Sequence, residues 1–203
     1  MTIRRFFGLL LILAAPVGLP AARAEATGAA AVPHSLCDAL IDSMKKGATL
    51  NFTQRNALLA PEISKDLDLP LMTRLVVGPP WRAMAPGDQA NLIKAFSDYS
   101  IATYAQRFKG YSGERFEVDP TPAPLAHGDM VVHTKLFTGG PDPVQLDYMM
   151  RKTGDQWRII DVFLSGTISE LAARRSEYSA TLRQGGASAL ISLLNKKTTE
   201  LGS

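Results

Sequence analysis

The stretch Asp147–Gly166 reads "DYMMRKTGDQWRIIDVFLSG". It predicts two strands joined by a turn at Thr153-Gly154-Asp155-Gln156, the connection being short enough to make them antiparallel neighbours. Side chains alternate across a strand, so a sheet wet on one side shows apolar and polar residues in turn. The second strand does not. Ile160, Val162 and Leu164 fall on one face, while Trp157, Ile159 and Phe163 fall on the other together with Asp161. Both faces of this hairpin therefore call for cover.

Upstream, strands are expected at about Glu114–Val118 and Met130–Phe137, with Val144–Arg151 and Trp157–Leu164 completing a sheet of about four. Pro120, Pro122 and Pro124 break the first connection, Gly139-Gly140-Pro141 the second, and Gly166 closes the sheet. Helices precede it. Ser35 caps one running to about Lys46, a second starts near Asn51 or Thr53 toward Leu59, and Pro61 opens another. Short helices follow, broken at Pro70 and at Gly78-Pro79-Pro80. Pro86 to about Lys109 carries the strongest helical period, with Leu92, Ile93, Phe96, Tyr99, Ser100, Thr103, Tyr104 and Phe108 on one face. Two helices close the chain, Ile168–Arg183 and Ser188–Lys197, separated by Gly185-Gly186. Helices, then a meandering sheet, then helices indicate an α+β fold in which helices cover the sheet.

The N-terminus has a different character. Arg4 and Arg5, the apolar run "FFGLLLILAA" and Ala22-Arg23-Ala24 describe a secretory signal peptide over 1–24, cleaved after Ala24. The alternative is an uncleaved amphipathic anchor. The apolar run is shorter than the roughly 20 residues that span a bilayer. Residues 25–33 are Ala-rich and aperiodic and read as a mobile lead. The remainder, 34–203, is one domain: helical over 34–110, sheet over 114–166, and helical again over 167–198.

The chain has 22 Lys and Arg against 19 Asp and Glu, and Arg4, Arg5 and Arg23 all lie in the predicted leader. The mature chain is thus near neutral and offers no electrostatic footprint for nucleic acid. A single cysteine forms no internal disulfide. Cys37 lies on an apolar stripe with Leu40, Ile41 and Met44 and reads as core.

Motifs for catalysis are sparse. There is no phosphate-cradling G-x-x-x-x-G-K-[ST], and "GYSGE" around Ser112 is a turn between helix and strand rather than a nucleophile elbow. His34, His127 and His133 lack metal-ligand spacing. No cofactor is expected. Asp147 and Asp161, on adjacent strands, are the one candidate acid–base pair of an enzyme reading; otherwise each pairs with Arg151, Arg158, Arg174 or backbone donors. The surplus of bulky apolar groups (Phe96, Tyr99, Tyr104, Phe108, Tyr148, Met149, Met150, Phe163, Tyr178) reads either as plain core or as the lining of an apolar cavity.

Three segments carry a resemblance: Trp81–Val118, "WRAMAPGDQANLIKAFSDYSIATYAQRFKGYSGERFEV"; Pro143–Leu182, "PVQLDYMMRKTGDQWRIIDVFLSGTISELAARRSEYSATL"; and Gly185–Leu194, "GGASALISLL". Together they resemble the MlaC family of periplasmic lipid carriers, once described as auxiliary components of toluene-tolerance ABC transporters. "LDLPLMTRLVVGPPW" and "ISELAARRSEYSATLRQGG" look most like its hopanoid-associated HpnM branch. The resemblance implies an NTF2-like curved sheet with an attached helical subdomain and a lipid-tail cavity between them. It implies a non-enzymatic shuttle in the periplasm, carrying phospholipid or a hopanoid-like lipid. Its partners would be an inner-membrane ABC transporter with an MCE-type subunit and an outer-membrane lipoprotein complex. On such a carrier, the faces of the predicted elements nominate Leu75, Val76, Phe96, Tyr104, Val132, Leu146, Tyr148, Ile160, Val162 and Ile168 as tail contacts.

Overall fold

The computed structural model describes residues 19–203, with side chains described from residue 28 onward. The expected signal sequence falls largely outside the described residues. Among the described residues, no helix is long and apolar enough to cross a membrane.

Helix α1 spans Leu19–Lys45. It begins upstream of Ala24 and takes in the segment expected to be a mobile lead. That expectation is corrected by packing: Ala29 is fully buried in the core, and a Cβ on Gly28 would sit 3.4 Å from the Trp157 ring. The small residues that make this stretch aperiodic let the helix lie close to its neighbours. Farther along, Leu36, Cys37, Leu40 and Met44 are buried on one stripe.

Helix α2 spans Phe52–Asp66. Asn51 and Gln54 cap it reciprocally, each side chain accepting the other's backbone N–H at 2.9 Å. Pro61 lies inside this helix instead of opening another. Helix α3 spans Leu69–Val77, capped by Asp68 and with Pro70 in its first turn, where a missing N–H costs little. Gly78 ends it at φ 70°, and a 3-10 turn over Pro79–Ala83 leads to α4, Pro86–Arg107.

Helix α4 is exposed at its start and buried nearly all round toward its end: Ser100, Ile101, Ala102, Thr103 and Ala105 have little exposure, with Leu92, Ala95 and Phe96 buried before them. It is wedged among α2, α3 and α5. On its α2 side, buried Arg55 donates from Nε to Ala105 O at 3.1 Å and from Nη1 to Leu50 O at 2.5 Å, which ties two backbone segments together.

Among the described residues the sheet has six strands, not four. They are β1 (Arg115–Val118), β2 (Ala123–Pro124), β3 (Met130–Phe137), β4 (Val144–Thr153), β5 (Gln156–Leu164) and β6 (Ile168–Ser169). The order is β1-β3-β4-β5-β6, with β2 also paired to β3, and every pairing is antiparallel. The two added strands are two residues each, too short to leave a periodic signal.

The register resolves the puzzle of β5. Met149 pairs with Asp161, but Met150 pairs with Ile159, so Ile160 is an extra residue without a partner on β4. Such a bulge shifts the alternation by one residue. Residues paired across a ladder share a face, so Trp157 and Ile159 lie on the same side as Val162 and Leu164, together with Leu146, Tyr148 and Met150 of β4 and Val132 and Thr134 of β3. The opposite side carries His133, Lys135, Gln145, Asp147, Arg151, Arg158 and Asp161, with Val131, Met149 and Phe163 among them. The sheet is therefore apolar on one face and largely polar on the other. Helices cover the first face alone, which corrects the expectation of cover on both.

Helix α5 spans Glu170–Gly202 but breaks at Gly186, where φ is 62° and ψ −155°, a conformation essentially confined to glycine. Lys197 beyond the break forms an ion pair with Glu177 before it. A straight helix at 1.5 Å per residue would hold these two about 30 Å apart. The chain thus reverses at Gly186, and the element is a pair of antiparallel helical arms.

Candidate functional site: an apolar cavity with a charged mouth

Between α4, the first arm of α5 and the inner face of β4–β5 lies a cavity of about 90 Å³. Leu67 and Met72 enclose it from the α2–α3 corner. Phe96, Ser100, Thr103, Tyr104 and Phe108 line it from α4, Leu146, Tyr148, Val162 and Leu164 from the sheet, and Leu171 from α5. Each group arrives by its own periodicity: i+3 and i+4 steps along α4, and alternate residues on β4 and on β5 beyond its bulge.

Burial governs the ionisable groups of this wall. It pushes the Tyr104 phenol up to about 12 and holds that of Tyr148 well above its ordinary value. Both stay neutral and act as apolar bodies with a polar tip. Tyr148 Oη lies 4.0 Å from Cys37 Sγ, and burial pushes that thiol up to about 12 as well. The Thr103 hydroxyl is turned back to Tyr99 O at 2.7 Å, which removes it from the cavity's polar inventory. Tyr104 and Phe108 stack at 5.9 Å, and Phe108 meets Phe116 at 6.2 Å, so an aromatic row runs from α4 toward β1.

The mouth is charged. Arg107 Nη1 lies 3.3 Å from Glu170 Oε1, and Arg174 Nε lies 3.5 Å from Glu170 Oε2. Arg107 is well exposed, and Arg174 is largely buried. Burial pushes the Arg174 guanidinium down, but Tyr178, Glu170 and Tyr99 more than offset this and hold it above the ordinary arginine value. Its guanidinium sits 5.7 Å from the Phe96 ring centre and 5.1 Å from that of Tyr99.

Of the ten nominated tail contacts, the structure brings five together here: Phe96, Tyr104, Leu146, Tyr148 and Val162. The other five lie elsewhere. Val132 is fully buried and shares the face of Tyr148, but does not line the space. Val76 is buried core beside Arg175 and Leu182. Ile160 is the buried bulge residue. Leu75 and Ile168 are exposed, at 39% and 56%. Ile168 stands in β6 at the sheet edge and Leu75 on the outer side of α3. The sequence reading missed the mouth. Its signal was Glu170, Arg174 and Tyr178 at i, i+4 spacing with Leu171 between, an arginine inserted into a buried stripe.

Asp147 and Asp161 do not reach the cavity. Both face the polar side of the sheet, and among the described residues neither takes an arginine. Asp147 accepts from Gln145 Nε2 at 2.9 Å and lies 3.0 Å from His133 Nδ1. Asp161 Oδ1 accepts from the backbone of Val162 and Leu171, and Oδ2 from Ser169 Oγ. These contacts give Asp161 a structural use, anchoring the start of α5. Arg151 is engaged by Asp129 instead. Among the described residues, no group of three or more His, Cys, Asp or Glu is placed to hold a metal ion.

A comparison with curated proteins returned no match. Among solved structures, the fold is similar to that of a phospholipid-binding protein from Ralstonia solanacearum, solved in complex with a phospholipid. The TM-score is 0.74 at 21% sequence identity, over 86% of this chain and 99% of that one. The profile of the family described as MlaC protein matches residues 34–196, most of the chain, and the chain therefore belongs to the MlaC family.

Proposed function

We propose that this protein is a periplasmic lipid carrier that shelters acyl tails in the cavity between α4, α5 and the sheet. The observation that carries the reading is the cavity itself: an apolar space enclosed by Phe96, Tyr104, Leu146, Tyr148 and Val162, with its charged residues confined to one end. Family membership and the likeness to a phospholipid-bound fold support it. Each methylene sheltered from water is worth about 0.8 kcal/mol, so a chain of about 16 carbons carries on the order of 13 kcal/mol. Unassisted crossing of an aqueous gap is correspondingly slow.

The space as it stands is far below the roughly 300–1,000 Å³ of a typical ligand site. Loading therefore widens it, and Met72 and the long aromatic side chains are the adaptable parts of its wall. In this reading the leader is cleaved after Ala24, which shortens α1 but leaves its buried stripe, and residues 34–203 work as one unit. Cargo is phospholipid or, on the HpnM-branch reading, a hopanoid-like lipid. It passes between an inner-membrane ABC transporter with an MCE-type subunit and an outer-membrane lipoprotein complex.

The enzyme alternative, with Asp147 or Asp161 as acid or base, is disfavoured by the placement of both carboxylates away from the cavity. Native mass spectrometry and organic extraction of the exported protein test the carrier reading. We expect a stoichiometric amphiphile; folded protein that never acquires one from vesicles rejects it.

A further inference from the structure

Helix α3 packs beside α5, and the outer side of this pair opens into a groove of about 800 Å³. Arg74, Arg82 and Arg175 line it, and Arg183 lines the hollow that adjoins it at Pro79 and Arg175. Neither lining includes an Asp or Glu. All four arginines are exposed, and among the described residues none of their side chains has an ion pair or hydrogen bond. The chain beyond the predicted leader balances its charges, so this is a local gathering of one sign. Apolar groups stand among the cations. Leu75 is 39% exposed, and Trp81 rests on the core from one side while lining the groove from the other. The turn that carries Trp81 is held in place. Gln89 Nε2 donates to Trp81 O at 2.9 Å, and Pro79 and Pro80 fix their own φ. A Cβ on Gly78 would lie 2.8 Å from Arg175 Nη2, so the missing side chain is what lets that guanidinium lie over the turn.

We propose that this outer face of α3 and α5 is a docking surface for an anionic bilayer, with Trp81 and Leu75 seated at the headgroup level and the four arginines above lipid phosphates. Tryptophan prefers the membrane–water interface, and arginine stems cover apolar surface while their heads stay among polar groups. Lipid headgroups move laterally, so a bilayer meets four separate guanidiniums at whatever spacing the fold gives them. An acidic protein segment would need carboxylates at matching positions. The surface shares no residue with the cavity wall. It thus goes beyond the carrier reading and stands without it.

The test floats the full chain on vesicles of phosphatidylcholine alone and on vesicles of equal parts phosphatidylcholine and phosphatidylglycerol. The wild type should partition onto the anionic vesicles at least about tenfold more strongly, and the preference should shrink as salt rises. Arg82→Gln and Arg183→Gln, both at exposed positions and checked for folding by circular dichroism, should each lower that partition about fivefold. Lys135→Gln, on the open face of the sheet, should leave it unchanged. Brominated lipid should quench tryptophan emission of the wild type and do so much less in Trp81→Phe. Equal partition onto the two kinds of vesicle, or a preference unchanged in the folded double variant Arg82→Gln/Arg183→Gln, overturns the proposal. A chain that ignores vesicles but is captured by immobilised polyglutamate, in a way those two arginines control, assigns the groove to an acidic protein segment and overturns the bilayer. Lipid uptake is read separately by native mass spectrometry, so vesicle binding without uptake rejects the carrier and upholds this surface.

Discussion

Asp161 on β5 accepts a 2.5 Å hydrogen bond from Ser169, the residue that caps α5, while its other oxygen takes the Leu171 N–H at 3.2 Å. One side chain on the polar face of the sheet therefore positions the helix that carries Leu171 and Arg174 into the cavity wall. Asp161→Ala leaves buried donors unmatched and is expected to cost about 2–4 kcal/mol, against about 1 kcal/mol for Ser169→Ala. Urea denaturation of both variants and the double mutant measures this. Equal small losses would show that the carboxylate does not hold α5.

Val162→Trp fills the cavity from its sheet side. We expect a loss of about 1–3 kcal/mol from overpacking, with the far-ultraviolet spectrum preserved and lipid retention reduced at least tenfold. Val132→Trp is the contrast: it lies in solid core, so its main effect falls on stability. Undiminished lipid in folded Val162→Trp would show that tails lie elsewhere.

Gly47 is held by contact, not by its backbone angles. A Cβ there would lie 1.9 Å from Lys109 O, where the turn after α1 meets the end of α4. Since the opposing atom is backbone, Gly47→Ala must separate the two segments. We expect a loss of about 2 kcal/mol or more and a melting temperature lower by about 5 °C. Thermal unfolding of the variant checks it.

Asp66 supplies a pH dependence. Burial, with Glu62 nearby, raises its carboxyl from 3.8 to about 7, and Oδ2 has no partner. The folded state therefore holds this proton more tightly than the unfolded chain. The resulting stability is complete below about pH 4, falls as pH rises toward 7, and is gone above it. Asp66→Asn should match the wild type near pH 4 and exceed it at pH 8 by on the order of 3 kcal/mol. Denaturation midpoints at the two pH values decide the sign.

The Cys37 thiol, buried and pushed up to about 12, should resist alkylation at pH 8 in the folded protein and react readily in urea. Mass shifts after iodoacetamide treatment report this, and rapid native labelling would mean that the wall beside Tyr148 opens.

Long elements with strong periods were legible in the sequence. The strand Met130–Phe137 and the start of α4 at Pro86 emerge as read, because turn residues bound one and a proline start signal the other. The break at Gly186 likewise follows from paired glycines. Interior Pro61 was misleading, since a helix end is the usual consequence of proline but α2 runs on to Asp66. Residues 25–33 looked mobile because alanine and glycine carry little hydropathy signal, although small size is what seats Gly28 against Trp157. Five of the ten contacts nominated from faces line the cavity, a third of its fifteen lining residues. The charged mouth does not follow from faces, because it depends on α4 and α5 meeting, a relationship that no local pattern encodes.

Ile160 also determines where β5 tolerates a change of length. With that residue skipped, the strand reads Trp157, Arg158, Ile159, Asp161, Val162, Phe163, Leu164, and its inward positions are all apolar. An in-frame deletion of codon 160 would straighten the ladder yet leave every remaining side chain on its present side. The same deletion at Val162 would turn Phe163 and Leu164 to the opposite sides of the sheet.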